Sequence, residues 1–251
     1  MLKPGERFRF DVSFAGNPAG LAEAQIIGFE PDPNAGPEGS PLLRLEGHAR
    51  TSGVVSLLAT VTDDMVTLVD PRSGAAVSSR NTLEYQGLAP RKYKQRITEQ
   101  SYRGRGFVRV VDSKDGKATS KVKRTPLDTY DPLSAMAWVR SLDLEAGERA
   151  KAHAVDGSTL LRIEIESKGN KPMKQVPSIL QALELRPEDL LMIEGVLTHV
   201  DEFDQALPGR RPYKMRAWLS RDERRIPLVL ESDMWVGSIR LELSSYDPPS
   251  G

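Results

Sequence analysis

The sequence contains no cysteine, which excludes disulfides, thiolate metal sites and cysteine nucleophiles. Histidine is scarce as well. His48, His153 and His199 are the three present, and no two stand at a His-x-His or i,i+4 spacing. Each is read as a surface or hydrogen-bonding residue, and no metal site is expected. Neither sign of charge prevails, because 35 Lys and Arg face 35 Asp and Glu. Composition therefore makes no case for a nucleic-acid partner or an anionic bilayer. No apolar run reaches the roughly 18 residues that a helix needs to span a membrane, so no transmembrane segment is expected. Gly-x-Ser-x-Gly, the P-loop and Gly-x-Gly-x-x-Gly are all missing. Neither catalytic residues nor a cofactor are expected from these absences. Met1-Leu2-Lys3 leads straight into strand pattern with no signal peptide, as in a native cytosolic start or an exported chain whose signal has been removed.

What is present is mostly strand. Phe8, Phe10, Val12 and Phe14 alternate with Arg7, Arg9, Asp11 and Ser13, the pattern of a half-buried strand with one aromatic face. A turn is expected at Asn17–Gly20 and a returning strand over Leu21–Phe29. Residues 31–41 read as loop. Further strands follow around 43–48, 61–69, 75–85, 92–102, 106–111 and 118–123. Residues 51–58 fit a helical turn or a strand corner equally. Beyond residue 145, strands are expected over 151–155, 159–166, 190–200, 213–219, 226–231 and 236–245. Residues 168–189 are irregular, with a short helix at 178–185. The clear helix is Asp131–Leu142, with Asp131 as N-cap and Pro132 in the first helical position. Its apolar residues cover two faces and leave Ser134, Arg140 and Ser141 for water, so the helix should be buried. At 251 residues the chain reads as a single β-rich domain over 1–251, with a subdivision, if any, near 125–145. The fold class expected is mainly β: a large curved antiparallel sheet or partly closed barrel, with the helix as plug or lid.

One charge feature stands out. Between Arg91 and Arg124 there are twelve Lys or Arg against three acids. On one sheet face, Arg91, Lys92, Lys94, Arg96, Arg103 and Arg105 would meet an anionic partner. The plainer reading pairs these cations with acidic strands bearing Glu164, Glu166, Glu231 and Glu242. The acidic pairs Asp63-Asp64, Glu188-Asp189 and Asp201-Glu202 lie near strand ends and are read as solvated loop groups. Aromatics near the basic run are few, so single-stranded nucleic acid is not expected.

The run Tyr130-Asp131-Pro132-Leu133-Ser134-Ala135 with Gly147-Glu148, then Trp218–Pro227 and Gly237–Tyr246, resembles the motifs of the bacterial domain-of-unknown-function family 3108. Thr51–Leu58 fits the segment after that family's third strand. The family has no established activity. The resemblance implies an exported protein of Gram-negative bacteria, in the periplasm or associated with the outer membrane. It also implies a distant similarity to periplasmic lipoprotein-sorting and lipid-binding carriers, whose curved sheet wraps an apolar cavity. The first expectation is thus a non-enzymatic binding protein holding a lipid, acyl chain or hydrophobic partner segment. Phe8, Phe10, Phe14, Leu133, Met136, Trp138 and Trp218 would line its cavity. The alternatives are an envelope scaffold that binds protein or polysaccharide through its sheet surface, and a hydrolase whose carboxylates converge only in the fold.

Overall fold

Short alternating segments joined by tight turns form hairpins with their sequence neighbours, and this chain repeats that step along nearly its whole length. The computed structural model describes residues 2–32, 40–56, 59–87, 93–102, 106–114, 116–127, 129–157, 159–171, 173, 175–233 and 237–249. The first eight strands are β1 (Arg7–Phe14), β2 (Asn17–Glu30), β3 (Leu42–Thr51), β4 (Ala59–Val69), β5 (Ala76–Gly87), β6 (Tyr93–Ser101), β7 (Phe107–Lys114) and β8 (Lys117–Arg124). A four-residue helix, α1 (Gly53–Ser56), lies between β3 and β4, resolving 53–56 as helical. Then come β9 (Thr129–Tyr130), helix α2 (Pro132–Ser141), β10 (Arg149–Asp156) and β11 (Thr159–Gly169). The last four strands are β12 (Leu190–His199), β13 (Tyr213–Ser220), β14 (Pro227–Asp233) and β15 (Ser238–Asp247).

All fifteen join one sheet in the order β8-β7-β6-β5-β4-β3-β2-β1-β15-β14-β13-β12-β11-β10-β9. Every ladder is antiparallel except the two-residue β9–β10 pairing, which the sequence did not announce. The sheet is curved and barrel-like without closing, which fulfils the fold class expected. Instead of a backbone ladder, side chains bridge the opening. Val108 and Val110 of β7 pack on Val155, Leu160 and Val200, and Gln100 of β6 donates to the carbonyls of Val155 and Gly157 at 3.3 and 3.0 Å.

Two expectations need correction. The β1–β2 turn lies at Ala15-Gly16, whose φ values are 48° and 80°, and β2 already begins at Asn17. Two consecutive left-handed residues make the tight turn whose twist matches that of paired strands, so Asn17–Gly20 is strand. In α2, Ser134 and Arg140 are buried while Leu133, Met136, Trp138 and Val139 are only half-buried. The reason lies in the partners those polar groups find.

Candidate functional site

Helix α2 lies across the concave face of the sheet, because its 10 residues touch strands as far apart as β3, β4 and β10. Asp131 starts it. Its backbone is extended (φ −98°, ψ 176°), and its carboxylate accepts the Ser134 amide at 2.7 Å while Ser134 Oγ accepts the Asp131 amide at 2.9 Å. This capping box satisfies two amides left unpaired by helix geometry. Thr67 of β4 donates its hydroxyl to the second Asp131 oxygen. Complete burial pushes the Asp131 carboxyl above its usual range, and the bonds from Thr67 and Ser134 work against that shift. Leu133 follows and lies against Gly47, where a Cβ would stand 3.0 Å from Leu133 Cδ2. A side chain at 47 would force Leu133 to shift by a few tenths of an ångström.

Arg140 holds the other end. It forms a bidentate pair with Glu6 at 2.9 and 2.8 Å, and it donates to the carbonyls of Arg224 at 2.9 Å and Arg225 at 3.2 Å. Its guanidinium lies 4.8 Å from the Phe8 ring centroid. The Tyr246 hydroxyl donates to Glu6 at 3.0 Å. Burial, then the Glu6 charge, pushes Tyr246 up to about 12. A buried ion pair with its remaining donors satisfied tolerates desolvation that an isolated charge does not. Asp222, from the turn expected between β13 and β14, accepts from Ser220 Oγ at 2.7 Å and the Arg224 amide at 3.1 Å, which fixes the turn that supplies those carbonyls.

Between the two clamps the space is small. Leu2, Phe8, Ala24, Leu133, Met136 and Ala137 are among the residues around a gap of about 30 Å³, about one water's share of liquid volume. Of the residues expected to line a cavity, this gap brings Phe8, Leu133 and Met136 together. Phe10 is buried in the same core cluster as Phe8, and Phe14 is half-buried at the far end of β1. Trp138 stacks on Tyr130 with centroids 5.9 Å apart. Trp218 faces the other side of the sheet. Its neighbours Ala217 and Leu219 belong to the helix cluster, while Trp218 joins Met173 and Met192 at an outer hollow.

Strands β4 to β6 line the rest of the concave face with polar groups. Gln100 Oε1 accepts from Ser79 Oγ at 2.9 Å and from Tyr102 Oη at 2.7 Å. Burial holds the Tyr102 phenol well above its usual value. Asn81 donates to Asp63 at 2.5 Å. Burial raises the Asp63 carboxyl, and the nearby charges of Asp156 and Asp64 add to the shift. The carboxylate pairs do not converge. Asp64 bonds His48 at 2.5 Å, Asp189 pairs with Arg186 at 3.1 Å, and Asp201 accepts the amides of Phe203 and Gln205. Among the described residues no group of three or more His, Asp or Glu is placed to hold a metal ion.

The basic run is also divided. Arg91, Lys92, Arg103 and Arg105 lie outside the described residues. Arg96 is held by both oxygens of Asp112 at 2.8 Å, and Lys94 is exposed. Among the described residues the acids of those strands take other partners. Glu164 bonds Arg162, Glu166 bonds Arg149 and Lys168, and Arg240 takes both Glu231 and Glu242. Sequence reading also missed a cluster around Asp204, whose carboxylate takes Lys151 at 2.5 Å and His153 at 3.0 Å. Burial would raise Asp204, but the bonds from Lys151 and His153 more than offset it and leave it at about 2. His199 meets Tyr213 edge-on at 5.5 Å. No local sequence signal marks the Asp204 cluster, since its members lie some fifty residues apart.

A family model described as "Protein of unknown function (DUF3108)" matches residues 9–244. The chain is also similar to a crystal structure of a beta-barrel-like protein of the domain of unknown function DUF1849 from Brucella abortus. That likeness has a TM-score of 0.63 at 14% identity and covers 99% of each chain, which shows a shared fold. No curated protein matches.

Proposed function

The chain belongs to the family of unknown function DUF3108, and on that premise we propose that it is a non-enzymatic binding protein of the cell envelope. Its ligand is an apolar chain, a lipid acyl group or a hydrophobic segment, held against α2 on the concave face. The observation that carries this reading is the inverted exposure of the helix. Its polar Ser134 and Arg140 are buried in end clamps, while Leu133, Met136, Trp138 and Val139 remain half-open. Covering apolar surface is favourable by roughly 25 cal/mol per Å², so these side chains favour an apolar occupant. The gap of about 30 Å³ is too small for an acyl chain, so the ligand lies along the helix or displaces its middle while the ends hold. The envelope location rests on the exported character that the family resemblance implies.

Native mass spectrometry of protein purified from its own cells, with uptake of a fluorescent fatty acid, tests this reading. One apolar chain per protein is expected, and Met136→Arg should weaken uptake at least tenfold while the unfolding temperature holds. A folded protein that carries nothing and takes up no probe overturns it. Fractionation should recover the protein with the envelope, and recovery in the cytosol overturns the location.

A further inference from the structure

We infer that the free edge of β8 takes up an extended segment of a partner protein whose residues alternate between apolar and acidic. The site is distinct from the helix-filled concavity and does not depend on it. Strand β8 ends the sheet order, so among the described residues one row of its backbone groups lacks a ladder, and such a row is a template for strand addition. Seven of its eight residues are exposed, which leaves both faces open to a neighbour.

The two faces ask for different chemistry. The β7–β8 register sets Val122 opposite Arg109 and Arg124 opposite Phe107, with Lys123 opposite Val108 and Lys121 opposite Val110. Val108 and Val110 are buried, so Lys121 and Lys123, with Lys117 at the same parity, lie on the concave side. Val122 lies on the outer side. There Phe107, Val122, Leu127 and Phe203, each 50–72% exposed, share a hollow of about 860 Å³. Phe203 is set in place by its neighbour, since Asp204 ties the loop to Lys151, His153 and Arg162. The wall of the hollow is therefore built before any partner arrives.

Charge selects the occupant. Lys117 and Lys121 stand exposed on one face of the strand, so an acidic neighbour on that face would meet opposite charge along the edge. Pairing with a second copy of β8 would set lysines against lysines, which edge strands use to prevent self-association. A strand purely blunted by lysine would have no need of four half-exposed apolar side chains beside it. Alternation follows from strand geometry, because successive residues of an added strand point to opposite faces.

An eight-residue peptide alternating valine and glutamate, followed by fluorescence anisotropy, tests the inference. Binding is expected, with slowed hydrogen exchange at the β8 amides. The double change Lys117→Glu and Lys121→Glu should weaken it at least about fivefold and transfer preference to a valine–lysine peptide. Val122→Asp should weaken the original peptide without lowering the unfolding temperature. Equal binding of a scrambled peptide of the same composition would reduce the effect to bulk charge and overturn the inference. So would self-association through β8 in sedimentation, displacement of the peptide by anionic vesicles, or no binding at millimolar peptide.

Discussion

The concave face has two halves that solve burial differently. Around α2, Ala154, Ile163, Ile165, Leu191, Ile193, Ala217 and Leu219 form an apolar cluster, and Phe8, Phe10 and Leu243 continue into the neighbouring one. Across β4 to β6, Thr67, Ser79, Thr98 and Gln100 are as deeply buried, at 0–8% exposure. The apolar half is held by a non-directional effect that grows with area. The polar half is held by bonds that each need a partner in place, and a buried group left alone costs more than the bond contributes. The first tolerates rearrangement, and the second fixes a geometry. The fixed half is also the one that bridges the opening, where Gln100 reaches the β10–β11 turn.

Four substitutions test that contrast. Phe10→Ala, at 2% exposure, should cost about 3–5 kcal/mol in denaturant unfolding, the transfer and cavity loss of a buried phenylalanine. Gln100→Leu should cost about 1–3 kcal/mol, because Ser79, Tyr102 and two carbonyls lose their partner together. It should also speed hydrogen exchange at the β10–β11 turn, which Phe10→Ala leaves slow. Asp204→Asn should act through pH. The folded carboxyl sits at about 2 against an ordinary 3.8, so its stabilisation is present above 3.8 and fades as pH falls toward 2. The variant should show a flatter stability profile over that window. The smallest effect should come from Asp63→Asn. A carboxyl raised by burial makes its contribution fade as pH rises through the folded value, so the amide should slightly stabilise the protein at pH 7. That gain should vanish below pH 3.8.

Much of the apolar half was legible from sequence. Phe8, Phe10, Val12 and Phe14 announce β1 by period, and the Asp131-Pro132 pair announces α2 by its cap. The polar half was not legible, because alternation identifies two faces without saying which is inside. On β6, Ile97 looks like the core residue, yet Thr98 is buried at 3% and Ile97 only half so. Arg140 was misread for a related reason. Its partner Glu6 is 134 residues away, beyond any local window, and only the tertiary fold brings them together. For the site, Phe8, Leu133 and Met136 stand around one small gap, whereas Trp218 ends on the reverse face because one step along a strand exchanges sides.

The strand order has a consequence for how the chain folds. Read around the sheet, it is the sequence order cut between β8 and β9. Every ladder therefore joins neighbours along the chain except one, β1 with β15, which pairs Arg7 with Asp247. That closure spans the largest sequence separation of any ladder and so carries the largest loop-closure cost among them. A circularly permuted chain, opened between Arg124 and Thr129 and joined from residue 249 to residue 2 so that Glu6 keeps its bonds to Arg140, turns this closure into a local connection. Its contact order falls sharply while its contacts stay nearly the same. The permutant should fold faster than the natural order and unfold at a similar rate.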